Sequence, residues 1–504
     1  MISASIPPAP FYITTAIDYP NGDPHLGHAY EKIITDCYAR WYSLLGQPSI
    51  LLTGTDENGQ KLIKSAESAG RPTQQFVDEN VIKFRKLCMD LHIHHQDFVR
   101  TSEKRHHEVV QNLWTKMQER GDIYLGRYSG NYCISCETFY AESQTKNGQC
   151  PVHETGLSYM EEDGYFFKLS SYQDWIIEHI SNQKEFIFPS SVRNEILSRL
   201  RGEKVHDLSI SRPNQGWGIA VPNDPKHVIY TWFDALITYY TGAQIDEKNQ
   251  PRTLPWWPAS VHVIGKDISW FHSVIWPCML KSAGLELPKQ IYVHGMVLGS
   301  DGKRMSKSLG NGVDPQDCLK NFAVDSIRYY MLKNIPSGQD GAFSTEDLTK
   351  THNSDLANEL GNLLMRVLKL SQAQLGKEIR PRDDVAFELS FLDEVRNLMD
   401  QREHSKALHL IWTGVRRLNA YINQEEPWKK KHDLEAFHAI MYTALLNLKF
   451  VCGLLIPFIP DSATKALTFL GVKSIDKTIF DFKKESMILM EGAALFPRIV
   501  ADED

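Results

Sequence analysis

The sequence predicts an α/β protein: a doubly wound parallel sheet, interrupted by an insertion and followed by an α-helical bundle. Three observations carry this. Buried-strand patterns alternate with helical spacing up to about residue 121 and again after residue 226, an aromatic and cysteine-containing stretch separates the two halves, and helical spacing dominates beyond Thr345. Strands that alternate with helices are covered on both faces, which is the condition for a parallel sheet.

The apolar run Phe11 to Ile17 reads as a buried strand, Tyr19 to Pro24 as a turn, and Leu26 to Leu45 as a helix that ends at Gly46. Ser49 to Thr53 repeats the strand pattern, and Gly59 to Gly70 the helical one. Residues 1–121 therefore form the first half of a Rossmann-like catalytic domain. Between 122 and 225 short aromatic strands, glycine turns and clustered cysteines mark an insertion. His227 to Trp232, Val261 to Ile264 and Ile291 to Val293 read again as buried strands, so residues 226–344 resume the sheet. Residues 345–504 form a separate helical bundle, with long patterns at Leu356 to Leu375 and Phe391 to Tyr421. Thr468 to Asp504 carries no clear pattern and is expected to pack back onto the rest.

At 504 residues, 42% hydrophobic and 23% charged, the composition is that of a multidomain globular chain. A net charge of −7 excludes a uniformly basic nucleic-acid coat, so any such contact must be local. No apolar run is expected to reach membrane length, because Gly453 and Pro457 break Phe450 to Ile459. Met1 to Pro10 lacks a basic start and an apolar middle, and the chain reads as cytoplasmic with no membrane partner.

Two segments carry phosphate chemistry. His25-Leu26-Gly27-His28 lies at a strand-to-helix junction, where free N–H groups and the helix dipole favour anions. Gly27 admits close backbone approach, and the two imidazoles can donate to developing phosphate charge; equally, they can cap the helix. Much later, Arg304-Met305-Ser306-Lys307-Ser308 follows Gly299-Ser300-Asp301-Gly302 and reads as a mobile cationic loop able to close over a triphosphate, or as a solvated basic turn. Their joint occurrence on the two halves of one sheet favours ATP as substrate. Cys133, Cys136, Cys150 and His153, paired as Cys-x2-Cys and Cys-x2-His, have the spacing of a closed, structural zinc knuckle.

With these motifs the chain resembles a class I aminoacyl-tRNA synthetase: His25 to His28 is similar to the His-Ile-Gly-His signature, and Arg304 to Ser308 to the Lys-Met-Ser-Lys-Ser loop. Arginine in the first loop position keeps the charge and changes its geometry, which makes Lys307 the better catalytic cation. Thr53-Gly54-Thr55-Asp56-Glu57-Asn58-Gly59, Tyr230-Thr231-Trp232-Phe233-Asp234-Ala235-Leu236, His262-Val263-Ile264-Gly265-Lys266-Asp267-Ile268, Trp270-Phe271-His272-Ser273 and Val293-His294-Gly295 extend the likeness, which is to the methionyl branch of the family.

The resemblance implies a ligase that joins methionine to initiator and elongator tRNA(Met) at the expense of ATP, with Mg2+ on the triphosphate. His25, His28, Lys307 and Arg304 would be the catalytic clamps. Gly27, Gly265, Asp267, Val297, Ser306 and Ser308 would bind ATP, with Asp267 on the ribose. Asp56 would hold the substrate ammonium, and Ile17, Tyr19, Trp232, Ala235, Leu236, Tyr239, Phe271 and His272 would shape the methionine pocket. Aromatic walls suit a polarizable thioether, and a tyrosine hydroxyl is expected to donate to it. Asn362, Arg366 and Trp428 would read a CAU anticodon, Lys429 to Lys431 supplying charge for phosphate. A monomer is expected.

Overall fold

The computed structural model describes residues 9–133, 138–140, 145, 148–151, 155–305 and 313–500, with backbone alone at 128, 129, 132, 138–140 and 160–162. Its centre is a six-stranded sheet formed by β1 (Phe11–Thr14), β2 (Ser49–Thr55), β3 (Asp97–Arg100), β4 (Ile187–Phe188), β5 (Val261–Gly265) and β6 (Ile291–His294). The order is β3-β2-β1-β5-β6-β4, all pairs parallel, with Ile13 registered between Leu51 and Val261. The winding reverses at β1, so the crevice beyond the carboxyl ends of β1 and β5 is the switch point where such sheets bind ligands.

Side chains alternate along β1 and feed two cores. Ile13, Leu51 and Val261 pack with helix α1 (Leu26–Leu44) in a cluster that continues through Leu364 and Val415 to Leu454 and Leu489. Tyr12, Leu52 and Ile264 join Trp114, Ile196 and Trp276 on the other face.

Several expectations are corrected. The run His227 to Trp232 is divided: Asp224–Ile229 is a strand of a small antiparallel sheet, and Thr231 already opens helix α2 (Thr231–Gln244). A short aromatic and β-branched run fits either state, and here the chain leaves the strand at Ile229 and enters the helix after Tyr230. The edge strand β4 comes from the stretch read as insertion. The rest of that stretch holds a four-stranded sheet, Thr138–Tyr140, Ile123–Cys133, Ser158–Phe167 and Leu208–Ser209 in that order.

In the helical region, α3 (Asn362–Leu375) continues from a π-helical segment, His352–Gly361. The pattern Phe391 to Tyr421 breaks into Leu392–Asp400 and α4 (His404–Glu425), because Arg402 adopts φ 63° and buries its guanidinium against Gln290 and Tyr42. Gly453 does not interrupt its helix. It lies inside α5 (Leu434–Leu455), which is long and apolar enough to cross a membrane, yet 89% of its apolar window is buried in the protein. The C-terminal stretch packs back as expected: Met487–Ile488 pairs with Glu378–Ile379, and the Pro497 carbonyl accepts from His352 Nε2 at 2.8 Å.

Candidate active site

A cleft of about 990 Å³ opens at the switch point. It is lined by Ile17, Tyr19, His25, Gly27, His28, Asp56, Trp232, Ala235, Leu236, Tyr239, Gly265, Asp267, His272, Val297 and Arg304, so residues from both halves of the sheet meet there. Phe271 stands behind the wall and stacks on Trp232 with ring centroids 4.3 Å apart. Ser306, Lys307 and Ser308 lie outside the described residues.

The two histidines are both a cap and a donor pair. His25 Nδ1 accepts from the Gly27 and His28 N–H groups at 3.1 and 3.4 Å, and His28 Nδ1 accepts from the His25 N–H at 3.1 Å. With Nδ1 occupied as an acceptor, each neutral ring carries its proton on Nε2. Burial, then the Lys32 charge, lowers the pKa of His25, and burial followed by the neighbouring His25 and Lys32 takes His28 well below the usual range. The stacked rings, centroids 3.7 Å apart, are thus neutral Nε2–H donors. Gly27 is required by the same geometry, since a Cβ there would lie 2.9 Å from His25 Cε1.

On the amino-acid side, Asp56 is buried and its Oδ1 accepts from the Thr231 hydroxyl at 2.6 Å. Asp234, one helical turn along α2, is fully buried; Asn58 donates to its Oδ2 at 2.6 Å. Burial, and then the Asp56 charge, raises Asp234 well above the carboxylate range. With Asp234 protonated, Asp56 is the carboxylate left to hold a cation. The Tyr239 hydroxyl has a protein partner: His272 Nδ1 donates to the Ile268 carbonyl at 3.0 Å, so Nε2 accepts the Tyr239 hydroxyl proton at 2.7 Å. Burial takes His272 down to about 4, which keeps it an acceptor.

On the nucleotide side Gly265 and Asp267 follow β5, while Val297 starts a short strand paired with Gly341–Ala342. Arg304 bridges back to Leu298 across the turn at Gly299 to Lys303 and reaches the cleft rim. His294 and Glu31 also line the cleft, 3.0 Å apart. Burial alone would lower His294, and the Glu31 carboxylate more than reverses it. Asp234, Glu31 and His294 escaped the reading of the sequence as site residues. The available signal for Glu31 was its place three residues after His28, on the same helix face.

The other sites lie apart. Cys133 and Cys150 are buried, and Thr155 joins them: its hydroxyl is 3.8 Å from Cys133 Sγ, and its carbonyl accepts from the Cys150 N–H at 2.9 Å. Cys136 and His153 fall outside the described residues, among which no cluster of three metal-binding side chains occurs. Arg366 on α3 donates to Asn423 and Asn419 of α4 at 2.9 and 3.2 Å. Asn362 is exposed a turn before it, and Trp428, 39% exposed, follows the end of α4. Lys429 and Lys430 pair with Glu426 and Glu425, so two of the three lysines are charge-compensated. α4 has 22 residues, about 33 Å of helix, and its other end meets Tyr38 and Ser337.

Fold and cleft together are those of a doubly wound α/β protein whose switch-point cleft brings paired imidazole donors and aromatic walls to one place. Residues 11–159 and 147–368 match the family described as tRNA synthetases class I (M), and residues 373–500 match the anticodon binding domain of methionyl tRNA ligase. The chain is 41% identical to the methionine–tRNA ligase of Rhizobium meliloti (strain 1021), covering 98% of this chain and 99% of that protein, and 40% identical to that of Mycobacterium leprae (97% and 94%). Among solved structures, Mycobacterium tuberculosis methionyl-tRNA synthetase in complex with methionyl-adenylate superposes with a TM-score of 0.92 at 38% identity, over 97% of this chain and 100% of that one. The apo form of that enzyme gives 0.86 at 35% identity, over 98% and 99%. The chain belongs to the methionyl class I tRNA synthetases.

Proposed function

We propose that this chain is a methionine–tRNA ligase, which activates methionine with ATP to methionyl-adenylate and transfers it to the 3' end of tRNA(Met). One observation carries the reading: a single cleft holds neutral Nε2–H donors at a helix N-terminus together with the buried Asp56 carboxylate and the aromatic residues Trp232 and Tyr239.

Asp56 takes the ammonium of methionine, and the side chain enters between Trp232, Tyr239 and His272. A carboxylate oxygen then attacks the α-phosphorus, the bond to the β-phosphate breaks, and pyrophosphate leaves with the electron pair. His25 and His28 donate to the phosphate oxygens as charge develops, and Lys307 and Arg304 add positive charge to the same group. When bound with the triphosphate, Mg2+ would supply further charge neutralisation. Gly265, Val297 and Asp267 seat the adenosine, with Gly27, Ser306 and Ser308 beside the phosphates. In the second step the 2'-hydroxyl of the terminal tRNA adenosine attacks the acyl carbon and AMP departs. No side chain needs to form a covalent intermediate.

Asn362, Arg366 and Trp428 read the CAU anticodon. Cys133, Cys136, Cys150 and His153 would hold a structural zinc; Cys133 and Cys150 are buried and each contacts Thr155, which suits such a donor set, and metal analysis is expected to return one zinc per chain. The enzyme works as a cytoplasmic monomer, with Rossmann halves 1–121 and 226–344, insertion 122–225 and anticodon-binding domain 345–504.

ATP–pyrophosphate exchange, screened with methionine, cysteine and leucine, tests the assignment. Exchange is expected with methionine alone, and exchange driven by another amino acid, or by none, refutes it. Lys307→Ala should slow exchange at least 100-fold, on the order seen when a transition-state donor is removed, with methionine binding retained.

A further inference from the structure

Lys32 on α1 and Asp18, in the segment that follows β1, form a pair of charges that this chemistry leaves unused. Lys32 Nζ lies 2.6 Å from Asp18 Oδ2, with the two side chains 0% and 3% exposed. The other carboxylate oxygen, Oδ1, is 3.8 Å from His28 Nε2, and Asp18 itself faces the cleft. Lys32 stands one helical turn after His28, on the same face of α1. Asp18 is fixed between strands: its N–H donates to the Gly54 carbonyl and its carbonyl accepts from the Asp56 N–H, both at 2.8 Å.

His28 has little freedom on its other sides. His25 stacks on one face of its ring, Phe84 meets it edge-on with centroids 5.4 Å apart, and Nδ1 is committed to the His25 N–H. On the Nε2 side stands the Asp18 carboxylate, and both residues line the cleft. A bare carboxylate in that place would repel a polyphosphate; Lys32 removes the objection by cancelling its charge.

We propose that the Asp18–Lys32 ion pair is a positioning device for His28: the carboxylate, 3.8 Å from Nε2 and beyond hydrogen-bond reach, orients the ring by its charge and leaves the Nε2 proton free for a ligand in the cleft, and the ammonium keeps that carboxylate compatible with an incoming triphosphate. Burial raises Asp18 to about 6 even with Lys32 beside it, so the ammonium is also what keeps the carboxylate ionised at neutral pH. Asp18 and Lys32 act through His28 and are not themselves catalytic residues.

The inference rests on the cleft being the site of adenylation. It is tested with the double variant D18N/K32M, which removes both charges, keeps both shapes and leaves no unpaired ion in the interior. The unfolding midpoint and the methionine Kd are expected to stay at the parent's values, while kcat for methionine-dependent exchange falls about tenfold or more, as a misplaced reacting group does. A double variant as fast as an active parent overturns this inference alone, and so does one whose loss is in methionine affinity rather than in kcat. An inactive parent chain overturns the adenylation reading and this inference with it. Should the double variant not fold, D18N/K32L, which likewise leaves no unpaired ion, is read in the same way.

Discussion

Two carboxylates and one glycine show how single side chains decide what the cleft can do. Asp56 and Asp234 lie close enough for the charge of one to raise the other, and the buried Asp234 is the one that gives up its charge. The substitution Asp234→Asn should therefore change little, because the amide oxygen still accepts from Asn58; methionine affinity is expected to stay within about threefold. Asp56→Asn removes a hydrogen bond to a charged group, ~1.5 to 3 kcal/mol, and should weaken methionine about 10- to 100-fold by calorimetry. Equal losses in the two variants would overturn the assignment of charge. Gly27 separates activity from stability in the opposite way. Alanine suits a helix better than glycine by roughly 0.5 to 1 kcal/mol, and the disturbed His25 cap opposes this by about 1 kcal/mol, so Gly27→Ala should leave the unfolding midpoint nearly unchanged. Its Cβ would displace the His25 ring and slow exchange about 10- to 100-fold, part of what loss of an oxyanion donor costs.

Whole elements were legible in the sequence where a local signal coincides with the tertiary need. β1 and α1 are of this kind: an apolar run, then Pro24, then a capping residue, so that pattern and cap agree on the boundary. β4 was not legible, since two residues, Ile187 and Phe188, carry no periodicity and become a strand only by lying against β6. The break at Arg402 was hidden for a similar reason: its partners Gln290 and Tyr42 are more than a hundred residues away. Within the cleft, residues in dense motifs were found from sequence, whereas Glu31 was missed, because its partner His294 is supplied by the fold. Element geometry also yields a prediction for the helical region. Arg366 is held between Asn419 and Asn423, and burial lowers its pKa, so its side chain is pre-set rather than floating. Arg366→Ala should lower kcat/KM for charging tRNA about 10- to 100-fold, from ~1 to 3 kcal/mol per base contact, with pyrophosphate exchange unchanged. A matching fall in exchange would mean that Arg366 supports the fold instead.

At the scale of the molecule, the sheet and the helical region share one continuous apolar core, so the junction between them is a stability element in its own right. Arg328 is its polar pin. Its guanidinium is fully buried, pairs with Asp36 of α1 at 2.6 Å, and donates to the Phe458 and Pro457 carbonyls at 3.2 and 3.1 Å. Burial alone would raise Asp36; the Arg328 and Arg40 guanidinium groups and the His94 N–H outweigh it and hold the carboxyl below its ordinary range. A carboxyl depressed in the folded state stabilises it at pH values above the unfolded pKa of about 4, and that stabilisation is lost as the pH falls through the folded value. The substitution Asp36→Asn leaves the Arg328 charge buried without its counterion, for which about 3 to 5 kcal/mol is expected at pH 7. Urea unfolding of the two proteins should thus show a full gap at pH 7 that narrows only below about pH 4. A gap that is small at pH 7, or that does not close in acid, would mean that apolar contact, and not this ion pair, fastens the anticodon-binding region to the sheet.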